Sequence, residues 1–288
     1  MSRSKSLIIV GAAYVSTFIL GLFLTLYLPE GNSLSKLFVI DIFLTLFVFM
    51  FSFRFGNASM YDPYWSVIPA FIIGYWWYST MAIPNYMVWG VTTAIVFVWA
   101  LRLTHNWARG WQGMQQQDWR YLLLQEKTEK WYLMVNFLGI HMFPTLLVWV
   151  ACIPLAYIFT SNEAFTLLNW AGVLVASLGI LIEFVSDNQL AKFKKSALPK
   201  EVLTSGVWSK IRHPNYLGEV LFWWGVYIMS INTYTPWYIS SGAIGITLLF
   251  VFISIPMMDK HLLQKRPEYA GYMLKVGALL PRIASNKA

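Results

Sequence analysis

The residues best able to do chemistry lie in one short run, RHPNYLGE, from Arg212 to Glu219. It opens an apolar segment, WSKIRHPNYLGEVLFWWGVY, over Trp208–Tyr227. Pro214 suits the first position of a helix, where its missing N–H would have no partner anyway. His213 then flanks the helix, and Asn215 and Tyr216 fall in its first turn. A helix start presents free N–H groups and the positive end of the helix dipole, so with Arg212 and His213 beside it the position suits a phosphate. Glu219 lies one turn below Asn215 on the same face, inside an otherwise apolar stretch. A carboxylate there is costly without a partner or a task. The plainer alternative is a basic loop leading into a helix with one ion-paired glutamate.

Three further groups have chemical potential. In LIEFVSDNQLAKFKKS, Glu183 and Asp187 are one turn apart and are followed by Lys192, Lys194 and Lys195. Two such acids repel each other unless partnered. They read either as an ion-paired helix end or as acceptors for ribose hydroxyls with the lysines on phosphates. In ALRLTHNWARGW, Arg102, His105, Asn106 and Arg109 share one face of a helix, a polar stripe that predicts a bundle interior or a watery cleft. In NASMYDPYWSVIPA, Tyr61, Asp62 and Tyr64 sit at a membrane boundary beside Asn57 and Trp65. Aromatic residues favour interfaces and Asp62-Pro63 suits a helix start, yet phenols and a carboxyl could also reach a substrate carbonyl. The tail carries Asp259, Lys260, His261, Tyr269, Tyr272 and Lys275 and predicts a helix followed by an ordered end.

These groups need a scaffold, and composition defines it. The chain has 288 residues, is 58% hydrophobic and 12% charged, far too apolar for a soluble domain of this length. Eight apolar stretches are countable, near 7–28, 36–54, 65–81, 85–106, 131–159, 166–187, 215–231 and 235–256. The sequence therefore predicts an all-α, polytopic transmembrane bundle of about eight spans, a single integral membrane domain over 1–288. The first stretch follows Arg3 and Lys5 without a small-residue cleavage site and reads as a retained helix. With eight spans, Lys36 alone of the 21 Lys and Arg falls on the far face, which places both termini in the cytoplasm. The net charge of +8 (21 minus 13) is then a one-sided collar that suits anionic lipid or a phosphorylated cofactor, with no need for nucleic acid. WQGMQQQDWRYLLLQEKTEKWYLM, before the fifth stretch, reads as an interfacial helix. Asp41 interrupts the second stretch, as a helix partner or a functional group. His141 lies in the fifth with no second histidine at ligand spacing and reads as a packing residue, so no metal is expected. Cys152 is the single cysteine, which excludes a disulfide framework. Walker, GxGxxG and HExxH patterns are absent.

SDNQLAKFK, GVWSKIRHPNYLGEVLFWWG and RPEYAGYMLKVGALLP together resemble the membrane steroid 5-alpha-reductase superfamily, in particular its bacterial branch of reductase-like membrane proteins. The resemblance covers about the last hundred residues well and the first half weakly. It implies a multi-pass protein, in a bacterial inner membrane, that binds NADPH in a cytoplasm-facing cavity. Hydride would pass to a carbon–carbon double bond conjugated to a carbonyl in a steroid-like or other lipid substrate. It implies cofactor contacts at Asn215 and Glu219 in the N-x-x-G-E element, at Asp187 and Glu183, at Lys194 and at Lys275. Arg102, Arg109, Arg212, His213, Tyr216 and Lys260 complete the expected cofactor set. Residues 1–130 would form the substrate side and 131–288 the cofactor part. Where the steroid enzymes place a Gln-Glu pair, this chain has Tyr61-Asp62 before IPA, and their substrate-facing Tyr aligns with Trp99, so the carbonyl side departs from the pattern. The enolate formed by hydride delivery needs a positioned donor, for which Tyr61, Tyr64 and Asp62 are the candidates. S-adenosylmethionine-dependent methyltransferases of the isoprenylcysteine carboxyl type share an R-H-P-x-Y-x-G element and form the alternative. They usually lack the acid after that glycine and carry paired glutamates where this chain has Asp259-Lys260. A non-enzymatic lipid-binding protein is the third reading and leaves the buried acids without a role.

The topology is open to a direct check. Cysteines introduced near residues 30 and 162 should react with an impermeant thiol reagent only from the non-cytoplasmic side; reaction of either from the cytoplasm alone overturns the eight-span arrangement.

Overall fold

The computed structural model describes residues 1–29, 31–81, 85–198 and 200–282. The chain divides into two compact units, Met1–Ala164 and Phe165–Ala288. Unit 1 holds α1 (Arg3–Tyr27), α2 (Ser33–Phe55), α3 (Tyr64–Ser79), α4 (Tyr86–Gly110) and α5 (Trp119–Thr160). Unit 2 holds α6 (Leu167–Ser196), α7 (Pro214–Met229), α8 (Trp237–Lys265) and α9 (Tyr269–Lys275). Each of the eight apolar stretches has become a helix. Six of them, α1, α2, α4, α5, α6 and α8, are long and apolar enough to cross a membrane. The other two, α3 and α7, have 16 residues each. At ~1.5 Å per residue that is roughly 24 Å, short of a hydrocarbon core of about 30 Å. The stretch 131–159, assigned above to the cofactor part, packs in unit 1 against α2, α3 and α4.

Unit 1 shows how a membrane helix sorts its side chains. The buried face of α1 is Ser6, Val10, Ala13, Thr17, Gly21 and Thr25, whereas Ile8, Val15, Phe18, Ile19, Leu22, Phe23 and Leu26 point outward. Small residues lie inside, where helices approach, and large apolar ones face what in a bilayer is lipid. Thr17 and Thr25 return their hydroxyls to the carbonyls of Ala13 and Gly21. Arg3 caps the far end of α4, donating to the carbonyls of Ala108 and Trp111 at 2.7 and 2.8 Å. Such a cation completes carbonyls that a helix end leaves open. Gly56 ends α2 in the left-handed region at φ 61°, a conformation that favours glycine. A 3₁₀ turn, Ala58–Met60, then carries the chain to α3. In the first ten residues of α5, Trp119–Thr128, no residue is fully buried, and Glu129 at φ 40° breaks the axis before the apolar part begins. That agrees with an interfacial helix ahead of a span.

Unit 2 is built on a seam of small residues between α6 and α7. A Cβ added to Gly225 would stand 2.4 Å from the Ala176 backbone nitrogen, one on Gly172 2.5 Å from that of Met229, and one on Gly179 2.6 Å from the Gly218 carbonyl. The two backbones therefore touch along most of α7. Asn169, in a capping box with Thr166 at the start of α6, also caps the end of α7 by donating to the carbonyls of Met229 and Ile231. Among the described residues there is no strand; residues 211 and 277 form a single parallel bridge.

Because backbone atoms fill the space at the seam, neither helix can make room for a methyl group. Gly225→Ala should cost about 1–3 kcal/mol, the range for overpacking a tight core. Its thermal midpoint in detergent should fall clearly, while Gly271→Ala, where a Cβ meets nothing within 4 Å, should leave it in place.

Candidate functional site

In unit 2 the RHPNYLGE run is organised by a carboxylate further along the chain. Asp259, near the end of α8, is buried at 6% exposure. Its Oδ2 accepts from Arg212 Nη2 at 2.8 Å, and its Oδ1 accepts from Arg212 Nε at 3.2 Å and Tyr269 Oη at 2.7 Å. His213 Nε2 lies 2.8 Å from Oδ1; since the carboxylate only accepts, this nitrogen carries the hydrogen. Arg212 Nη1 donates to the Val276 carbonyl at 2.7 Å, the Arg212 and His213 amides donate to Gly277 and Ala278, and Tyr272 donates to the Trp208 carbonyl. The loop before α7, the end of α8 and the tail are thus tied into one buried knot. Burial pushes the Tyr269 phenol well up, and the Asp259 hydrogen bond adds to the shift. Burial likewise pushes Tyr272 up to about 12. Arg212 and His213, expected on a phosphate, have their side chains turned onto Asp259.

Below the knot the remaining candidates sit on the seam. The Tyr216 ring stacks on His213 at 5.3 Å and leans on Phe250 at 4.7 Å. Asn215 is half-buried. Glu219 is buried, and its Oε1 accepts from the Trp223 indole at 3.0 Å. Gly218 faces α6 so closely that its missing Cβ would lie 2.3 Å from Glu183 Cγ. The structure therefore brings the buried Glu183 against the residue preceding Glu219. Asp187, one turn along α6, is half-buried, and Lys194, two turns further on the same face, is exposed, as are Lys260 and Lys275. Unit 2 offers carboxyl acceptors within the seam and ammonium groups toward solvent. Such a layout suits a ligand with hydroxyls at one end and phosphates at the other.

Unit 1 holds the carbonyl-side candidates. The Tyr61 hydroxyl is 2.7 Å from Thr145 Oγ1, and Tyr64 donates to Asp41 Oδ1 at 2.6 Å. The two rings stack at 5.1 Å, with His141 tilted against Tyr61 at 4.6 Å. Both phenols are buried in the helix interior. Asp62 is only half-buried and accepts from the Tyr121 hydroxyl at 2.6 Å. Burial raises its carboxyl to about 7, against the lowering effects of Tyr121 and Arg120. The loop that carries this pair is fixed on both sides. Asn57 donates to the Met114 and Gln116 carbonyls, the Asp118 amide donates to Ser59, and Asp118 holds Arg120 at 2.8 Å. In the α4 stripe, Arg109 donates to Asn106 at 2.7 Å, Arg102 is half-buried, and His105 and Arg109 are exposed. Trp99 is fully buried. Tyr121, Thr145 and the anchoring role of Asp259 went unforeseen, because each depends on contacts 47 to 84 residues apart in sequence. Among the described residues no group of three or more His, Cys, Asp or Glu could hold a metal ion.

A multi-pass helical membrane protein with a proline-started apolar helix packed in a tight helical seam is the class that these features define. Within it, residues 48–276 match the family described as Protein of unknown function (DUF1295), and the chain belongs to that family, part of the steroid 5-alpha-reductase-like superfamily. It is also 24% identical over 257 residues to an uncharacterized protein of Schizosaccharomyces pombe, a match covering 79% of this chain and 73% of that protein. No solved structure matches.

The Asp259 knot predicts its own sensitivity. Asp259→Asn keeps the volume but leaves a buried guanidinium without its counter-charge, a loss of about 3–5 kcal/mol. Unfolding in detergent should show it, whereas exposed Lys260→Gln should stay within about 0.5 kcal/mol of the parent.

Proposed function

We propose that the protein is an NADPH-dependent membrane reductase acting on a conjugated, enone-type double bond of an apolar, steroid-like or other lipid substrate. In this reading both termini lie on the cytoplasmic side of a bacterial inner membrane. The observation that carries it is the Gly179–Gly218 approach, which sets Glu183 against the helix of Asn215 and Glu219, with Asp187 and Lys194 following on one face of α6. Membership of a superfamily named for a reductase supports the same reading. Glu183, Glu219 and Asp187 suit the hydroxyl-bearing part of the cofactor, Asn215 its amide-bearing end, and Lys194 its phosphates. When bound, NADPH supplies the hydride. The chain holds and orients it, and the apolar surroundings exclude water. In unit 1 the group suited to give a proton is Asp62, half-buried, held by Tyr121 and raised to about 7. Tyr61 and Tyr64 are engaged with Thr145 and Asp41 and suit a supporting role.

Titration of the purified protein tests the reading. NADPH should bind more tightly than NADH or S-adenosylmethionine. Asn215→Ala and Glu219→Gln should each weaken binding about tenfold, the equivalent of one lost hydrogen bond to a charged or buried partner. Lys194→Ala should weaken it with a flatter salt dependence. Against a panel of apolar enones, turnover should fall as pH rises through about 7, where Asp62 loses its proton. Asp62→Asn should lose turnover while keeping cofactor affinity. Tight binding of S-adenosylmethionine with none of NADPH would transfer the assignment to the methyltransferase alternative.

A further inference from the structure

The core of unit 1 contains more hydroxyls than a helix interface requires, and they are connected. Thr145 Oγ1, on α5, lies 2.8 Å from Thr45 Oγ1 on α2 and 2.7 Å from the Tyr61 hydroxyl. A hydroxyl has one hydrogen, so Thr145 can donate to only one of these partners and must accept from the other. Thr45 in turn neighbours the Tyr64 phenol, and Tyr64 donates to Asp41 Oδ1 at 2.6 Å. Asp41 and Thr45 are one turn apart on α2. Thr45, Thr145 and Tyr64 are at most 1% exposed, Asp41 1% and Tyr61 3%. The row therefore runs from a carboxyl within α2, through hydroxyls on α3, α2 and α5, to a phenol beside Asp62.

Simple interhelical adhesion would leave this carboxyl with both oxygens bonded, because an unsatisfied polar atom in an apolar core is costly. Asp41 departs from that rule. Its Oδ2 is buried without a hydrogen-bond partner, and no cation pairs with the carboxyl among the described residues. A buried oxygen without a partner suits a neutral carboxyl, so Asp41 is a group that can hold a proton. We propose that Asp41, Tyr64, Thr45, Thr145 and Tyr61 form a proton relay through the core of unit 1, with Asp41 as its inner store. In one passage the Asp41 carboxylate takes the Tyr64 proton at Oδ1, along the existing Tyr64 O–H···Oδ1 bond, each hydroxyl replaces the proton it passes inward with one from the next, and Tyr61 takes up a proton at the far end. The hydroxyls end chemically unchanged, and Asp41 releases its proton when the passage runs backward. In this relay Asp62, the residue after Tyr61, half-buried and bonded to Tyr121, is the group that exchanges protons with the Tyr61 end.

The test needs neither nucleotide nor substrate, so its outcome is separate from that of the reductase reading. Infrared spectra of the purified protein in lipid discs should contain a carboxylic-acid carbonyl band that disappears in Asp41→Asn. On transfer to deuterated buffer the band should shift as the stored proton exchanges. Thr145→Val, which keeps the shape and removes the central hydroxyl, should slow the exchange by about tenfold or more, and Thr145→Ser should restore the parent rate. Tyr61→Phe should slow it likewise. No Asp41 band, or the same exchange rate in the valine, serine and parent proteins, would overturn the relay.

Discussion

Hydrocarbon cannot satisfy a polar group, and both units of this protein are shaped by that constraint. Every polar side chain placed at depth needs a partner inside the protein, so polar residues are found where helices meet and large apolar ones are found outside. In unit 1 the partners are hydroxyls, a carboxyl and the imidazole of His141, which contacts Ser52 and the Asn136 carbonyl within a π-helical turn. In unit 2 they include the Trp223 indole, which donates to Glu219, and Asn169, which donates to the last carbonyls of α7. Burying so many polar groups has an energetic cost, which their mutual hydrogen bonds offset.

The seam between α6 and α7 answers a different need. Lipid tails are as apolar as leucine, so helices in a bilayer gain little from hiding apolar surface and must instead pack closely. Gly172, Ala176 and Gly179 on one helix, with Gly218 and Gly225 on the other, bring backbone against backbone. The same closeness sets Glu183 against α7, so the residues that hold the helices together also define where the candidate cofactor contacts lie. Packing and site are here one feature of the sequence.

Much of this was readable from the chain alone. Apolar length marked all eight helices, Pro214 marked the start of α7 to the residue, and the ordered tail was visible in its tyrosines and basic residues. The polar groups in the spans were visible too, since a carboxyl such as Asp41 or Glu219 interrupts its surroundings. What they contact was not. Periodicity says which residues share a helix face and is silent about which helices become neighbours, so the contact of Arg212 and His213 with Asp259 could not be read from it. The phenol–hydroxyl contacts of Tyr61 and the carboxyl–phenol contact of Asp62 were hidden for the same reason. The shortness of α3 and α7 was legible as well, since their apolar stretches, 65–81 and 215–231, are within one residue of the helices in length.

The shortness of α7 has a consequence for the lipid around it. A helix of 16 residues is roughly 6 Å shorter than the average hydrocarbon thickness, and a bilayer meets such hydrophobic mismatch by thinning beside the protein. Headgroups then lie nearer the Asn215 end of α7 than they would beside a longer helix. The protein would accordingly be at ease in thin, disordered bilayers and under strain in thick, sterol-rich ones, a preference set by the lengths of α3 and α7 and independent of any lipid headgroup.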